Sequence, residues 1–262
     1  MTLRELRLPL FLLAGVVLAG PPLARAWETE KVNRTFPLAA DGTVSLENVN
    51  GSVEIVAWDK PEVSVEAEIR GRTTEDLKCI RVEFEAEANR LAIKTKLDRK
   101  DGAFWGSSPR GEVRYQLRVP AGVSLKKVST VNSAIKVEGV RGEVQISTVN
   151  GGIRANGLAG HGRFKTVNGS IHADYDVTTA VNRIDLDTVN GTCTLRLPNG
   201  ANARLRADTV NGAVRCDLPV TIEKSTRRSL RGDIGTGGTL ISLESVNGSL
   251  RIEKKPAGPE AG

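Results

Sequence analysis

The sequence predicts an all-β protein: a single-stranded β-solenoid (β-helix-like) with coils of about 18–22 residues and an irregular N-terminal β portion. Three observations lead to this fold class. A Val-Asn pair recurs at short, nearly regular intervals. The residues around each pair alternate between apolar and polar in one shared register. No helical period is present after residue 26.

The first segment, residues 1–26, has the features of a signal peptide. Arg4 and Arg7 precede an apolar stretch over residues 8–18, which is shorter than the roughly 20 residues that a membrane span needs. A small-x-small pattern at residues 24–26 matches a signal peptidase site. We therefore expect cleavage before Trp27 and an exported chain that is periplasmic, at the cell surface or secreted. An uncleaved N-terminal anchor is the alternative.

The remaining chain divides by pattern and by charge. Alternating apolar and polar runs, such as those starting at Val63, Val82 and Val113, predict an N-terminal β-strand portion over residues 27–120, continuous with the solenoid. A polar loop at residues 98–111 interrupts these strands. The solenoid repeats are expected over residues 121–253, and a Pro- and Gly-containing disordered tail over 254–262. Residues 27–120 carry 15 basic and 17 acidic side chains, and residues 121–262 carry 19 and 13. The second half is therefore the part expected to bind an acidic partner.

The repeat is defined by seven asparagines that each follow a valine. Glycine follows the asparagine in all cases but one, where Ser133 stands instead. The steps between the last six are 18, 18, 22, 21 and 36 residues. Periods near 20 residues are typical of stacked coils. The seven are Asn50, Asn132, Asn150, Asn168, Asn190, Asn211 and Asn247.

The register around these asparagines predicts parallel stacking. The third and fifth residues after each are apolar or cysteine, and the residue between them is polar. The fourth residue before each is apolar as well, from Leu46 to Leu243. A shared register favours like-on-like stacking over hairpins, with the asparagine amides hydrogen-bonded in a column from coil to coil. Left-handed φ is expected at the Asn-Gly corners.

The 36-residue step predicts extra chain after Pro219. Compared with the preceding step of 21, about 15 residues are added, within residues 220–238. An inserted loop and a degenerate extra coil both remain open as interpretations.

At this point the sequence resembles a known family. The Thr-Val-Asn-Gly repeat at residues 148–151, 166–169, 188–191 and 209–212 is similar to that of the bacterial putative-adhesin domain family. So are the Val-Pro-Ala-Gly segment at 119–122 and the Gly-Ser-Val-Glu-Ile segment at 51–55, followed by Trp58-Asp59. The resemblance implies a single-stranded β-solenoid in the envelope or at the surface of a bacterium, with no catalytic residues to carry over.

Basic residues supply the candidate binding site. Lys136, Arg154, His172, Thr194 and Arg215 occupy the polar position between the two inward residues, so stacking predicts an outward basic column. A solvated face that blocks aggregation is the alternative. The candidate anion-binding residues are Lys136, Arg154, His172, Arg215 and Arg251 from the repeat, together with Arg227 and Arg228 from the added segment.

An acidic pair supplies an enzymatic alternative. Asp187 and Asp208 each lie three residues before their corner asparagines, which in adjacent coils would place them about 4.8 Å apart. Retaining glycosidases hold two carboxyl groups roughly 5–5.5 Å apart. Arg206 can neutralise Asp208, and the same column holds a mixture of polar residues, so a solvated face is the competing interpretation.

Three cysteines follow the leader, namely Cys79, Cys193 and Cys216. Their number and spacing match neither a disulfide framework nor a zinc motif, so no metal and no cofactor are expected. Sequence order puts Cys193 and Cys216 in neighbouring coils, both inward and offset by two positions. We therefore expect two buried free thiols.

These observations predict an exported cell-envelope module that is adhesin-like or a scaffold, rather than an enzyme. The expected partner is an anionic polysaccharide, lipopolysaccharide or another envelope component, and nucleic acid is not expected because stacking aromatics are absent. A self-assembling structural protein is the first alternative, since open solenoid ends can stack on each other. A polysaccharide-cleaving enzyme is the second.

Overall fold

The computed structural model describes residues 27–98 and 110–256. The signal peptide predicted at 1–26, the loop residues 99–109 and the tail residues 257–262 lie outside the described residues. Of the predicted tail, Lys254 ends the last strand, and the backbone N–H of Lys255 donates to the carbonyl of Leu197. The ordered chain therefore extends past the boundary expected from composition.

The described residues form twenty-one strands and one short helix. In chain order they are β1 (Glu28–Pro37), β2 (Thr43–Glu47), β3 (Val53–Trp58), β4 (Glu62–Gly71), α1 (Thr74–Lys78), β5 (Ile80–Glu87), β6 (Arg90–Leu97), β7 (Gly111–Pro120), β8 (Ser124–Thr130), β9 (Ile135–Glu138), β10 (Val144–Asn150), β11 (Ile153–Leu158), β12 (Gly162–Asn168), β13 (Ile171–Tyr175), β14 (Arg183–Asn190), β15 (Cys193–Leu197), β16 (Ala203–Asn211), β17 (Val214–Cys216), β18 (Val220–Ser225), β19 (Ser229–Ile234), β20 (Thr239–Asn247) and β21 (Leu250–Lys254).

Two long sheets enclose one apolar core. Sheet A has ten strands in the order β1-β4-β7-β3-β9-β11-β13-β15-β21-β17. Sheet B has eleven, in the order β18-β19-β16-β20-β14-β12-β10-β8-β2-β6-β5. Each coil sends one strand into sheet B, turns at the Asn corner and sends the next into sheet A. The predicted all-β solenoid is confirmed.

The alternation read from the sequence fills the core. β12 and β14 show a strict buried–exposed or buried–intermediate alternation up to the threonine before the corner. Their inward residues pair in parallel register with those of the next coil, as Phe164 does with Leu186. Phe164, Tyr175 and Tyr115 are among the largest fully buried side chains. Burial of this apolar face, at about 25 cal/mol per Å², is the main force that holds the coils together.

The order of the coils departs from the order of the sequence, and this corrects the expected stacking. β20 lies between β14 and β16, and β21 lies between β15 and β17. The coil of Asn247 therefore sits between those of Asn190 and Asn211, and the Asn211 coil is the last of the seven. The repeat spacing could not reveal this order, because every coil offers its neighbours the same register.

Residues 220–238 form neither of the two expected structures. They contain an antiparallel hairpin, β18–β19, in which β19 pairs antiparallel with β16 and extends sheet B by two strands. Building this hairpin beyond β16 leaves the other edge of β16 free to pair with β20.

The N-terminal portion forms the opposite end of the stack. β4 pairs antiparallel with both β1 and β7, and β7 pairs in parallel with β3. β5 pairs antiparallel with β6, which pairs in parallel with β2. These strands extend both sheets without a break, and the rings of Phe36 and Phe84 meet with centroids 5.3 Å apart where the sheets converge.

One helical turn was not expected from the sequence. Thr73 accepts a hydrogen bond from the backbone N–H of Asp76 and thereby caps α1, and Glu75 and Asp76 occupy its first turn. A capping threonine followed by acidic residues is a helix start signal. Five residues are too few to show a helical period. None of the described helices is long and apolar enough to cross a membrane.

Candidate functional site

The corner asparagines lie in one continuous column along the edge of the solenoid. Their spatial order is Asn50, Asn132, Asn150, Asn168, Asn190, Asn247, Asn211, and from Asn132 onward each Nδ2 donates to the Oδ1 of the preceding asparagine at 2.8–2.9 Å. Asn50 also donates to the carbonyl of Gly111 at 3.3 Å. Six of the seven side chains are exposed, so the column is a surface feature.

The corner backbone shows the expected positive φ at two of the corner glycines, Gly51 (φ 110°) and Gly191 (φ 158°), and at none of the asparagines. No described non-glycine residue has positive φ, and Asn168 and Asn190 end ordinary strands. The corner glycines are also required by close approach. A Cβ on Gly169 would lie 2.0 Å from the carbonyl oxygen of Gly151, and one on Gly191 would lie 2.0 Å from that of Gly169. The glycines let successive coils come within hydrogen-bonding distance.

The threonine of the repeat has a role that the sequence reasoning missed. Thr166 Oγ1 donates to the carbonyl of Gly151 at 2.9 Å, and Thr188 Oγ1 donates to that of Gly169 at 3.0 Å. Both threonines are buried. They form an inner column of hydrogen bonds behind the outer asparagine column. The signal was available, because threonine stands at an inward position of the alternating pattern.

The valine of the repeat points outward. A column of valines, 37–56% exposed, runs beside the asparagines; its members are Val131, Val149, Val167, Val189, Val246 and Val210. The seven-coil corner therefore presents an uncharged strip of valine methyl groups and amides.

The predicted basic column lies on the outward face of sheet A, with Arg251 at a different place in the order than its sequence position indicates. Strand pairing puts Lys136 beside Arg154, Arg154 beside His172, and His172 beside Thr194. Arg251 then lies between Thr194 and Arg215, because β21 precedes β17 in the sheet. Arg251 and Arg215 are thus direct neighbours. Thr194, which is uncharged and only 4% exposed, lies between the basic residues on one side of it, Lys136 to His172, and the pair of Arg251 and Arg215 on the other.

Ion pairing divides the column into neutralised and unpaired members. Lys136 Nζ lies 3.0 Å from carboxylate oxygens of both Glu54 and Glu138. Among the residues that the structure describes, no carboxylate lies within 4.0 Å of the exposed guanidinium groups of Arg154, Arg251 or Arg215. These three are the cations of the basic column that have no ion-pair partner among the described residues.

His172 is half-buried between these cations. Burial, followed by the charges of Arg154 and Arg196, lowers the pKa of His172 below its ordinary value. The imidazole is therefore neutral at neutral pH and offers a hydrogen-bonding group rather than a charge.

A second column bounds the basic one. Asp174, Arg196 and Glu253 follow two residues after the basic positions, and Arg196 holds Glu253 at 3.0 Å and Asp174 at 3.9 Å. A shallow cavity of about 340 Å³ lies between the columns and is lined by Arg154, Asn156, His172, Asp174, Thr194 and Arg196. A smaller one of about 200 Å³ is lined by Arg215, Asp217, Arg251, Ile252 and Glu253. The free arginines therefore border two separate shallow cavities.

Arg227 and Arg228 do not join this column. They lie in the turn between β18 and β19, where their carbonyls accept hydrogen bonds from the N–H groups of Val214 and Thr209. Both side chains are exposed at the end of the stack. The expectation that they belong to the same site as Arg154 is not supported by their positions.

The acidic pair considered for catalysis is not formed. Asp187 and Asp208 each pair with Glu244 of the intervening strand, so two strand spacings separate them instead of one. Burial alone would raise the pKa of Asp208, but hydrogen bonds from Ser229 and Arg206 lower it below its ordinary value. A glycosidase acid needs a raised pKa. The geometry that suggested a polysaccharide-cleaving enzyme is therefore lost.

The cysteines are all free thiols. Cys193 is buried, whereas Cys216 is only half-buried in the last strand of sheet A. Strand β21 lies between them, so they are not in neighbouring coils as expected. No cluster of three His, Cys, Asp or Glu side chains suited to a metal ion occurs within residues 27–98 and 110–256.

Comparisons with known proteins give one family match and several similar crystal structures. A family model described as Toastrack DUF4097 matches residues 121–253. A crystal structure of a putative cell adhesion protein from Clostridium sporogenes has 12% identity and a TM-score of 0.53, and the match covers 87% of this chain and all of that one. A putative adhesin from Bacteroides fragilis matches at 10% identity and a TM-score of 0.37, over 86% of this chain and 97% of that one. A putative lipid binding protein from Parabacteroides distasonis matches at 12% identity and a TM-score of 0.34, with the same coverages.

No curated protein matches the chain. The Clostridium structure shares the fold, and the resemblance inferred from the Thr-Val-Asn-Gly repeat is confirmed. Because the family match spans just over half of the sequence, the chain belongs to the Toastrack DUF4097 family.

Proposed function

We propose that this protein is an exported envelope-binding module that holds an anionic envelope polysaccharide along the outward face of sheet A. One observation supports this above all: three exposed arginines on that face, Arg154, Arg251 and Arg215, lack ion-pair partners among the described residues. The leader-like segment at residues 1–26 supports the exported location.

The spacing of the arginines favours an extended ligand. Arg251 and Arg215 lie on adjacent strands, and Arg154 lies three strands from Arg251, a distance of roughly 14 Å at 4.8 Å per strand. A small anion can contact one end of this row but not both. A chain of sugars that bears carboxylate or phosphate groups can reach both, across the cavity beside Arg196.

His172 gives the binding a pH dependence. Its lowered pKa keeps it neutral at neutral pH, and a bound anion would favour the protonated imidazolium. Protonation therefore accompanies binding, and the affinity should rise as the pH falls toward the pKa of His172. A His172→Gln variant should lose this pH dependence while it keeps its affinity at neutral pH.

The test compares two triple variants by calorimetry against a soluble sulfated or carboxylated polysaccharide. Replacing Arg154, Arg215 and Arg251 with Gln should weaken binding about 100-fold, at about 1 kcal/mol for each basic residue near an anionic surface. The control replaces three arginines of sheet B, each of which has a carboxylate partner: Arg163, Arg183 and Arg206. The control should bind like the original protein, although it loses the same charge.

Two outcomes would contradict the proposal. Equal loss in both triple variants would mean that net charge alone drives binding. Binding to vesicles of anionic lipid, with no affinity for free polysaccharide, would assign the face to a membrane surface instead. Binding to either anion should weaken as salt rises.

A further inference from the structure

The two ends of sheet B are unpaired strand edges. Among the described strands, β18 pairs only with β19, and β5 pairs only with β6, so each presents one edge that has no described neighbour in the sheet. β18 is exposed along nearly its whole length, and Ile222 within it is 59% exposed. An open edge with an exposed isoleucine is a template for pairing with another strand.

The two edges carry opposite charge. Residues 80–87 of β5 hold three glutamates and one arginine, a net charge of −2. Residues 220–228, which span β18 and the turn after it, hold one glutamate against one lysine and two arginines, a net charge of +2. Glu85 and Glu87 on one edge, and Lys224 on the other, make no ion pair with any described residue. The unpaired glutamates of the β5 edge and the unpaired lysine of the β18 edge are thus free to form ion pairs with each other.

We propose that copies of this chain associate head to tail, with β18 of one copy pairing antiparallel to β5 of the next. The directions of the strands allow this pairing. β18 and β16 run the same way because both are antiparallel to β19, and β16 is parallel to every strand from β20 to β6. β5 is antiparallel to β6. Translation along the stack therefore brings β18 against an antiparallel β5.

The register also fits. The strand-to-strand pairing places Ser225 at the same height as Phe84, with the intermediate levels running through the buried residues of each coil. If the second copy is moved along the stacking axis of the coils, its Phe84 therefore arrives level with Ser225 of the first copy. The twist of the sheet rotates the second copy about this axis but does not change that level.

At this register the side chains are complementary. Lys224 lies opposite Glu85, and Ile222 lies opposite Ala86, all four of them exposed in the single chain. An opposite-charge pair and an apolar pair across two strands both favour pairing. Charge on an edge strand ordinarily prevents association. Here it prevents β5 from meeting β5 and β18 from meeting β18, because each would oppose like charges.

The shapes of the two ends match as well. Beyond the seventh coil, sheet B continues for two strands, whereas sheet A ends at β17. Beyond the first coil, sheet A continues for three strands and sheet B for two. The β18–β19 hairpin of one copy therefore meets β5 of the next. In sheet A this leaves a gap one strand wide between β17 of the first copy and β1 of the second.

Sedimentation velocity over a range of concentrations at low salt tests the proposal. The original protein should form species larger than a dimer that grow with concentration and recede in high salt. Lys224→Glu and Glu85→Lys should each weaken association by about tenfold or more, since each brings like charges together. A 1:1 mixture of the two variants, and the double variant, should recover it. Arg141→Glu, an exposed charge in the middle of the stack, is the control for net charge and should associate normally.

The contradicting results are distinct. A protein that stays monomeric at every concentration up to about 1 mM would exclude association with a Kd below that concentration. Loss of association in Lys224→Glu alone, with Glu85→Lys unaffected, would show that two C-terminal ends meet instead. Failure of the mixture to recover would exclude the β5–β18 contact. Circular dichroism of each variant verifies that the solenoid is folded.

Discussion

Replacing Gly169 with alanine should strongly destabilise the solenoid, although it adds only a methyl group at a partly exposed corner. The new Cβ would lie 2.0 Å from the carbonyl oxygen of Gly151 and 2.5 Å from its carbon. Both are backbone atoms, so no side-chain rotation can relieve the contact. The two coils must move apart by about 1 Å, which strains the hydrogen bonds that join them there.

The magnitude follows from those contacts. Overpacking against fixed structure costs typically about 1–3 kcal/mol. The Thr166 hydroxyl donates to the same Gly151 carbonyl at 2.9 Å, and the Gly151 N–H donates to the Asn168 carbonyl at 3.0 Å; weakening these bonds adds about 1 kcal/mol. Alanine restricts the unfolded chain and returns about 0.4–1 kcal/mol. The net loss should be about 2 kcal/mol.

Urea unfolding of Gly169→Ala and Gly152→Ala measures this effect. Gly152 lies in a neighbouring coil, and a Cβ there would meet only the carbonyl of Ser170, at 3.2 Å. Its variant should be within about 1 kcal/mol of the original, while Gly169→Ala should lower the midpoint by about 1 M for an m-value of 2–3 kcal/mol/M. Equal midpoints for the two variants would refute the argument that close approach, rather than turn conformation, selects glycine at the corners.

Three further results are expected. Asn168→Ala removes two hydrogen bonds of the asparagine column and should lower the free energy of unfolding in urea by about 1 kcal/mol. Asn211→Ala, at the end of the column, removes one and should cost about half as much, and equal losses would contradict the spatial order. Cys193 should resist alkylation in the native protein, because burial, with a contribution from the charge of Asp187, raises its pKa to about 12; labelling at pH 8 before denaturant is added would contradict this. Exported protein should begin at Trp27 by intact mass, and retention of the leader would defeat that prediction.

Much of the fold could be read from the sequence because one rule repeats. The inward positions after each asparagine are apolar in every coil, and alternation with a period of two can only mean a strand with one buried face. The same rule located Arg154 and His172 on the outward face. Local periodicity therefore gave the strands, their faces and the corner column.

The neighbours of each coil could not be read in the same way. Periodicity states which residues face inward but not which coil lies above which, and the coils of Asn190, Asn211 and Asn247 present equivalent faces. Two errors in the predicted site came from that ambiguity. Asp187 and Asp208 were assumed adjacent, and Arg251 was not expected to separate Thr194 from Arg215.

The position of the Asn247 coil has a consequence for how the protein is made. Ribosomes and translocation channels deliver a chain from its N-terminus, so coils up to Asn190 can dock as they emerge. The next coil then emerges without the neighbour on which it will finally rest, because residues 239–254 of β20 and β21 are delivered last and must enter between two earlier segments. A prematurely ended chain therefore holds two facing open edges in the middle of its sheets. The C-terminal segment therefore completes both sheets, and the seven coils are in contact only once residues 239–254 have been delivered.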